Sequence, residues 1–304
     1  MAIRRADSVS FAVTLLLAGL TVVFAAEQAR SDESAELGQA TEHLQKGRYD
    51  EAAESFTVAL DSDDETVKAR ATIGLSRALD AQGEYSAAIQ RLAKLSQPSA
   101  GVLARTAQLQ FLIGRLEESA AFCEAALKAD ADQPLAHMIL ARLYADAGEL
   151  KQAGDEFRWF VRFYNRKQPK DAETLLLVAE GAGEYARWNS VSSIFNFIIN
   201  TLCVDALKDD PSSWQTHFAS GSLLLEKYNS AQALPDLKKA LEINPRAVSV
   251  IVALGEAALQ KHDLDSTEMF TEQALKVQSN FAPALRLQAD LALTRDQPLV
   301  ALDA

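Results

Sequence analysis

The side chains that most often carry catalysis are few in this sequence and far apart. There are two cysteines, Cys123 and Cys203, and four widely separated histidines, His43, His137, His217 and His262. The sequence has no HExxH or CxxC metal motif, no GxSxG nucleophile and no glycine-rich phosphate loop. Single histidines on helices are usually structural, and we expect that role for all four. The motifs therefore predict no catalytic residue, no metal site and no cofactor.

Two short stretches come nearer to a chemical motif. Gly181-Ala182-Gly183 lacks the third glycine and the preceding strand of a dinucleotide site, so we interpret it as a turn between helices. The acidic run 61–65 lacks the glycine and the spaced glutamate of a calcium loop. We expect a solvated loop there, with its last acids near a helix N-terminus, and a metal site is the alternative.

A pattern of small residues organises the rest of the chain. In the segment 214–245, Gly221 lies within a first helical half, Ala233 opens a second half, and Ala240 follows on the same face of that half. The segment that follows repeats the pattern, with Gly255 in the place of Gly221. Helix axes that pack at about 8–10 Å leave room only for small side chains where they come nearest to each other. The pattern therefore predicts antiparallel helix pairs that stack on one another.

The same phase continues towards the N-terminus. Gly47, Gly83, Gly114 and Gly148 recur at nearly the interval that separates Gly221 from Gly255, as turns between paired helices would. After residue 32 the chain resembles the tetratricopeptide repeat family, although tryptophan is absent from the fourth position of most units and Ser119 occupies a family alanine or aromatic position, as do Cys123 and Thr267. The resemblance implies an all-α, right-handed superhelical solenoid whose concave face binds peptides or partner proteins.

The expected organisation has three parts. Residues 1–25 combine an arginine pair, an apolar run and a plausible cleavage site at Val23-Phe24-Ala25, which is typical of an export signal peptide. Residues 26–32 form a polar lead-in, and residues 33–304 form about eight repeat units. We expect the chain to act outside the cytoplasm, for example in a bacterial periplasm. An uncleaved signal that anchors the chain in the inner membrane is the alternative.

Composition limits the classes of partner. The 304 residues are 48% hydrophobic, which is enough for a large core, and their net charge is −12, or −13 without residues 1–25. Such a charge argues against nucleic acid or an anionic membrane surface as the main partner. The axes of neighbouring helices lie about 8–10 Å apart, whereas a disulfide needs Cα atoms within roughly 7 Å of each other. We therefore expect Cys123 and Cys203, on second helices two units apart, to be buried and unbridged.

Two units depart from the pattern. The fifth, about 168–211, is irregular, and its apolar second helix 190–207 is expected to pack against an aromatic-rich segment, 157–164, as a core that sets a bend. A ligand pocket at this bend is the alternative. The eighth unit is incomplete, so its apolar face is left open. Either the sequence is a piece of a longer protein, or this face binds something, for example a second copy of the chain.

The resemblance also places the groove. In the family the concave face is lined by first-helix positions, which in units 2 to 4 hold Arg70, Ile73, Arg77, Gln108, Phe111, Met138 and Arg142. Three arginines and an aromatic residue on one surface would suit an acidic peptide. Alternatively, these arginines pair with the chain's own carboxylates. The Lys and Asn of the family's carboxylate clamp are missing, with Leu37 and Thr41 in unit 1, so binding of chaperone tails is not expected.

These features together predict a non-enzymatic scaffold that binds a protein or peptide. The alternative is the N-terminal interaction region of a longer exported enzyme, for instance a hydrolase, with its catalytic domain beyond residue 304.

Overall fold

The computed structural model describes residues 35–227 and 229–303, and these residues form α-helices joined by short turns. The predicted signal peptide and lead-in lie outside the described residues, as do residues 33, 34 and 304 of the repeat region. The boundaries given for these three parts therefore stay predictions.

Within the described residues the helices follow one another in pairs. The two helices of a pair are in extensive contact, and successive pairs also pack on each other, as α2 does on α3 and α8 on α9. We number the pairs as units 1 to 8: α1 (35–45) with α2 (Tyr49–Ala59), α3 (Glu65–Ala81) with α4 (Tyr85–Leu92), α5 (Ala100–Leu112) with α6 (Leu116–Ala129), α7 (Pro134–Asp146) with α8 (Leu150–Lys167), α9 (Ala172–Asn189) with α10 (Ser192–Phe197) and α11 (Cys203–Asp209), α12 (Trp214–Glu226) with α13 (Ser230–Ile243), α14 (Val248–Gln260) with α15 (Leu264–Val277), and α16 (Ala282–Thr294) with α17 (Pro298–Asp303). The predicted all-α stack of helix pairs is confirmed.

Small residues allow the helices to approach. A Cβ atom on Gly255 would lie 2.6 Å from Cδ2 of Leu287 and 3.2 Å from Cβ of Phe270. At Gly221 it would lie 2.8 Å from Cγ of Leu237. Heavy atoms cannot pack so tightly without displacement, so each glycine is the contact point of two helices.

The interpretation of Gly181-Ala182-Gly183 as a turn is wrong. All three residues are buried inside α9. The ring of Phe160, on the preceding helix α8, occupies the space that a side chain at Gly181 would need. Gly181 is therefore a packing glycine of the same kind as Gly255. Gly183 faces another side of α9, where an added Cβ atom would lie 3.7 Å from Cδ1 of Ile198.

The turns need backbone of positive φ. Gly47 and Gly83 have φ of 71° and 79°, and units 5 and 7 use non-glycine residues instead, Ser190 at 57° and His262 at 61°. Glycine adopts this conformation without a steric penalty.

At the acidic run, the carboxylate of Asp64 accepts a hydrogen bond from the backbone N–H of Thr66 at 2.7 Å and caps α3.

The irregular fifth unit lies in the largest apolar cluster of the described residues. α10 and α11 are joined by a π-helical turn, Ile198–Leu202. Phe160 and Phe163 of α8 are buried there, and the Trp159 ring stacks between His137 at 3.8 Å and Phe163 at 4.6 Å. The aromatic rings thus contribute to a solid core between α7, α8 and α9.

Cys123 and Cys203 are both buried and free. Burial disfavours the charged thiolate and raises the pKa of each thiol to about 12. The structural role expected for the histidines is visible at His137, whose ring bonds the Glu156 carboxylate at 2.6 Å, and at His217, whose ring lies 3.2 Å from the Asp236 carboxylate.

The stack curves until its two halves meet. The Tyr49 hydroxyl, at the start of α2, donates a hydrogen bond to the backbone carbonyl of Arg246 at 3.2 Å and accepts one from Nδ2 of Asn244 at 3.2 Å. At the start of α4, the Tyr85 hydroxyl accepts a hydrogen bond from Nε2 of Gln278. Units 1 and 2 therefore contact the segments that follow α13 and α15.

Candidate functional site

The first helices of the units surround a central cavity of about 850 Å³. Its wall draws residues from α1, α3, α5, α7, α9 and α12. The curvature of the stack therefore brings units 1 to 6 around one space. Proteins commonly bind ligands in cavities of roughly 300 to 1000 Å³, and this cavity falls within that range.

Part of this wall is apolar. The apolar side chains come from units 1, 4, 5 and 6: Leu44, Leu135, Leu176, Leu177, Phe218 and Leu223. When a ligand removes apolar surface of this kind from water, the free energy of the complex falls. A ligand that fills the cavity must therefore carry apolar groups.

Acidic groups outnumber basic ones on the described wall. Seven carboxylates and three guanidinium groups line it: Asp171, Glu173, Glu180, Glu184, Asp209, Asp210 and Glu226, with Arg77, Arg105 and Arg187. Facing walls of one charge sign in a cavity of lowered dielectric strengthen the local potential. The cavity thus favours cationic over anionic ligands.

Arg187 joins the two main helices of the wall. Its Nη1 lies 2.8 Å from Glu184 on its own helix, and its Nε donates to both carboxylate oxygens of Glu226 on α12 at 3.0 Å. The hydrogen bond from Arg187 lowers the pKa of Glu226, and the same bond raises the pKa of Arg187. Both groups therefore stay charged at neutral pH and hold α9 and α12 at a set distance.

Arg105 is the most buried charge of the wall. Its guanidinium donates to Asp80 at 2.7 Å, to Oγ of Ser76 at 3.1 Å and to Oε1 of Gln108. Burial lowers the pKa of Arg105, while the charge of Asp80 opposes that change. Its donors are committed to the protein, so Arg105 serves to position α5 against α3.

The structure brings together only two of the predicted groove residues. Arg77 and Gln108 line the central cavity, whereas Arg70 is exposed on α3 outside it. Arg77 is ion-paired with Glu173 of α9, and Arg142 is ion-paired with Glu180 of the same helix. The alternative interpretation, in which arginines pair with the chain's own carboxylates, therefore applies to both.

Three predicted groove residues pack against the apolar core instead. Met138 is 1% exposed and lies in the cluster around α8 and α9, so its prediction as a groove residue is wrong. Phe111 packs against Cys123 and Leu140, and Ile73 packs against the cluster of α4 and α5. The registers of α5 and α7 turn these apolar faces towards neighbouring helices, where burial stabilises them.

The acidic wall of α9 was missed from the sequence. Glu173, Glu180 and Glu184 are spaced by seven and four positions, which places them on one face of a helix. That spacing was readable in advance. The predicted groove positions follow the repeat register. Unit 5 departs from that register, so those positions do not include this face of α9.

Among the described residues, no three His, Cys, Asp or Glu side chains are placed to hold a metal ion. None of the helices in residues 35–227 and 229–303 has both the length and the apolarity needed to cross a membrane.

Comparisons with known proteins agree with this geometry. A model named "Tetratricopeptide repeat" matches residues 43–110. This segment, which runs from α1 to α5, is therefore similar to tetratricopeptide repeats. A search of curated proteins gives no match to the chain.

Two solved structures share the fold. A chain from the crystal structure of the APC/C hetero-tetramer Cut9-Hcn1 superposes with a TM-score of 0.58 and 14% identity, over 88% of this chain and 51% of that one. The protein thus spans about half the length of that chain. TTC0263, a thermophilic TPR protein of Thermus thermophilus, superposes with a TM-score of 0.50 and 20% identity, over 68% of this chain and 100% of that one.

Proposed function

We propose that the protein is a non-enzymatic scaffold that binds a segment of a partner polypeptide in its central cavity. The observation that carries the proposal is the cavity itself, about 850 Å³, which first helices of six units line together. Extended or helical peptide segments bind protein grooves by placing apolar side chains in pockets and polar groups at the rim. The Cut9-Hcn1 structure is a hetero-tetramer of protein chains, which is consistent with this class of activity.

The ligand chemistry follows from the wall. Acidic groups exceed basic ones there, and Arg77 is already paired with Glu173. An acidic peptide, which we predicted from the arginines alone, would have to displace these carboxylates from their partners. We therefore propose a segment that alternates apolar and Lys or Arg side chains, so that apolar groups reach Leu176 and Phe218 while cations face Asp209 and Asp210.

We also propose that the protein acts outside the cytoplasm. The support is the arginine pair, the apolar run and the plausible cleavage site at 23–25 within residues 1–25. Intact-mass measurement of the protein purified from its native host tests this proposal. A mass that lacks the segment 1–25 supports export with cleavage, and a full-length mass in the cytoplasmic fraction contradicts it.

The binding proposal is tested by fluorescence anisotropy with two short labelled peptides, one alternating Lys and Leu and one alternating Glu and Leu. We expect the Lys/Leu peptide to bind more tightly, and its affinity to fall as salt rises. The double variant Asp209→Asn/Asp210→Asn should weaken it about 2- to 30-fold, because each of the two partly exposed ion pairs contributes about 0.2–1 kcal/mol.

The matched control removes two carboxylates outside the cavity, in Glu117→Gln/Glu118→Gln on the exposed side of α6. This variant should bind as the unmodified protein does. Equal binding of both peptides would contradict the preference for cations. Equal weakening by both double variants would show that affinity follows net charge and not this cavity.

A further inference from the structure

Two contacts across the stack repeat one geometry. Tyr49 and Tyr85 each follow a turn glycine by two positions and begin a second helix. Their partners, Asn244 and Gln278, each follow directly on a second helix five units further along and are C-caps of α13 and α15. We call these four residues, together with Arg246, the clasp. Its two contacts are related by the repeat, so they form one interface and not two unrelated touches.

The interface is well packed. Tyr49 is buried, and the Arg246 guanidinium lies over its ring, 4.9 Å from the ring centroid. A Cβ atom on Gly83 would lie 2.8 Å from Oδ1 of Asn280, and one on Gly47 would meet the Asn244 side chain. The turn glycines of units 1 and 2 are therefore contact points across the clasp as well as turns.

A second cavity, of about 340 Å³, lies beside the clasp. We call it the side pocket. Its lining comes from both halves of the molecule. The apolar part is Leu44, Ala81, Leu112, Trp214, Ala247, Val248 and Phe281, and the polar part is Arg77, Asp80, Gln215, Ser249, Gln278 and the two clasp tyrosines. Because Leu112 and Val248 belong to distant units, the pocket exists only while the two halves are in contact.

The side pocket adjoins the central cavity. Leu44, Arg77 and Gln215 line both spaces. A polypeptide in the central cavity can therefore reach the side pocket with one of its own side chains. The volume is at the lower end of the range used by ligand pockets, which suits one large side chain and not a second chain segment.

From this arrangement we infer that the side pocket is a specificity site that takes one large apolar side chain, aromatic or aliphatic, of the polypeptide bound in the central cavity. The inference rests on the proposed function, since it assigns the side chain to that polypeptide. The two charged groups of the lining are already ion-paired, Asp80 with Arg105 and Arg77 with Glu173. The occupant is therefore apolar, because the remaining side chains of the lining, among them Leu44, Leu112 and Phe281, carry no charge to pair with a buried ion. Occupation also stabilises the closed clasp, because a ligand that contacts both halves binds only the closed arrangement.

The pocket can be probed without the natural ligand. Saturation-transfer NMR with N-acetyl-tryptophanamide, and with N-acetyl-lysinamide for comparison, reports binding of the isolated side chain. We expect transfer to the tryptophan probe only. Ser249→Trp, which fills the pocket, should reduce that transfer about fivefold or more by steric exclusion. Ser193→Trp, on the exposed side of α10 and away from both cavities, should leave it unchanged.

Two double variants test whether the side pocket requires the closed clasp. Gly47→Ala/Gly83→Ala places methyl groups in the clasp, whereas Gly114→Ala/Gly148→Ala changes turns of the same positive φ with nothing within 4 Å of the added methyl. Both pairs carry the same backbone strain. We expect the first to abolish transfer to the tryptophan probe and the second to retain it. Equal transfer in the two double variants would overturn the inference, as would equal transfer to the two probes or an unaffected Ser249→Trp.

The Lys/Leu peptide separates this inference from the proposed function. A peptide with one Leu replaced by Trp should bind more tightly than the parent at one register, and Ser249→Trp should remove the gain. If the parent binds and no register gives a gain, the scaffold proposal stands and the side pocket fails. If the tryptophan probe binds and the peptides do not, the pocket stands and the scaffold proposal fails.

Discussion

The hydroxyl of Tyr49 donates a hydrogen bond to the backbone carbonyl of Arg246 at 3.2 Å, although 197 positions separate the two residues in the sequence. In a stack of helix pairs most contacts join neighbouring units. This bond instead joins the first unit to the segment between the sixth and the seventh. A change to one of these side chains can therefore alter the curvature of the stack.

Tyr49→Phe should therefore destabilise the protein. The change keeps the ring under Arg246 but removes the hydroxyl, and it leaves the Asn244 amide without this acceptor. We expect a loss of about 1–2 kcal/mol in the free energy of unfolding by urea, the usual effect of breaking a buried hydrogen bond. Small-angle scattering should show a larger radius of gyration. Tyr185→Phe, a half-buried tyrosine in α9, is the control; similar losses in both variants would contradict a special role for the clasp.

Gly255→Leu tests the helix packing. The added side chain meets Leu287 and Phe270, so we expect a loss of about 1–3 kcal/mol from overpacking. Gly38→Leu is the matched control, because Gly38 lies in α1 with nothing within 4 Å of an added Cβ. Leucine favours helix over glycine, so this control should be neutral or slightly stabilising. A melting temperature for Gly255→Leu equal to that of the unmodified protein would contradict the helix contact.

Much of the fold was readable from the sequence because the repeat is a local pattern. Gly221 and Gly255 are contact points between helices, as their spacing predicts, since each meets a residue of another helix. The long-range contacts were not readable. Arg77 pairs with Glu173 across 96 positions, and the register of one unit carries no information about a side chain several units away. The curvature that brings them together is the sum of many small rotations between units.

The site was predicted less well than the fold, for the same reason. Family positions led to Met138, which packs in the core because α7 is in contact with both α8 and α9. They also omitted α9, whose acidic face forms one wall of the cavity. The spacing of Glu180 and Glu184 places them on one face of α9, but it does not show that this face lines the central cavity.

The buried thiols predict a pH dependence. The pKa values of Cys123 and Cys203 are about 12, above that of a free thiol, so the folded protein holds these protons where the unfolded chain releases them. Their contribution to stability is therefore complete below about pH 8.5 and falls as pH rises from there towards 12. Urea titrations should give a lower free energy of unfolding at pH 10 than at pH 8, and this difference should be smaller in Cys123→Ala/Cys203→Ala.

The burial of both thiols has its own test. A disulfide reagent should label neither thiol at pH 8 without urea, and rapid labelling would contradict their burial.

The Arg105–Asp80 pair predicts the cost of an uncompensated charge. The Arg105 side chain is 6% exposed and lies 2.7 Å from the Asp80 carboxylate, whereas the Lys239–Glu242 pair is 55% and 68% exposed. Asp80→Ala leaves a buried guanidinium without its counter-ion, so we expect a loss of about 3–5 kcal/mol, while Glu242→Ala should stay within about 1 kcal/mol. Arg105→Met/Asp80→Leu removes both charges and should recover most of the loss. If this double variant is no more stable than Asp80→Ala in urea unfolding, the loss comes from packing around α3 and α5 and not from the unpaired charge.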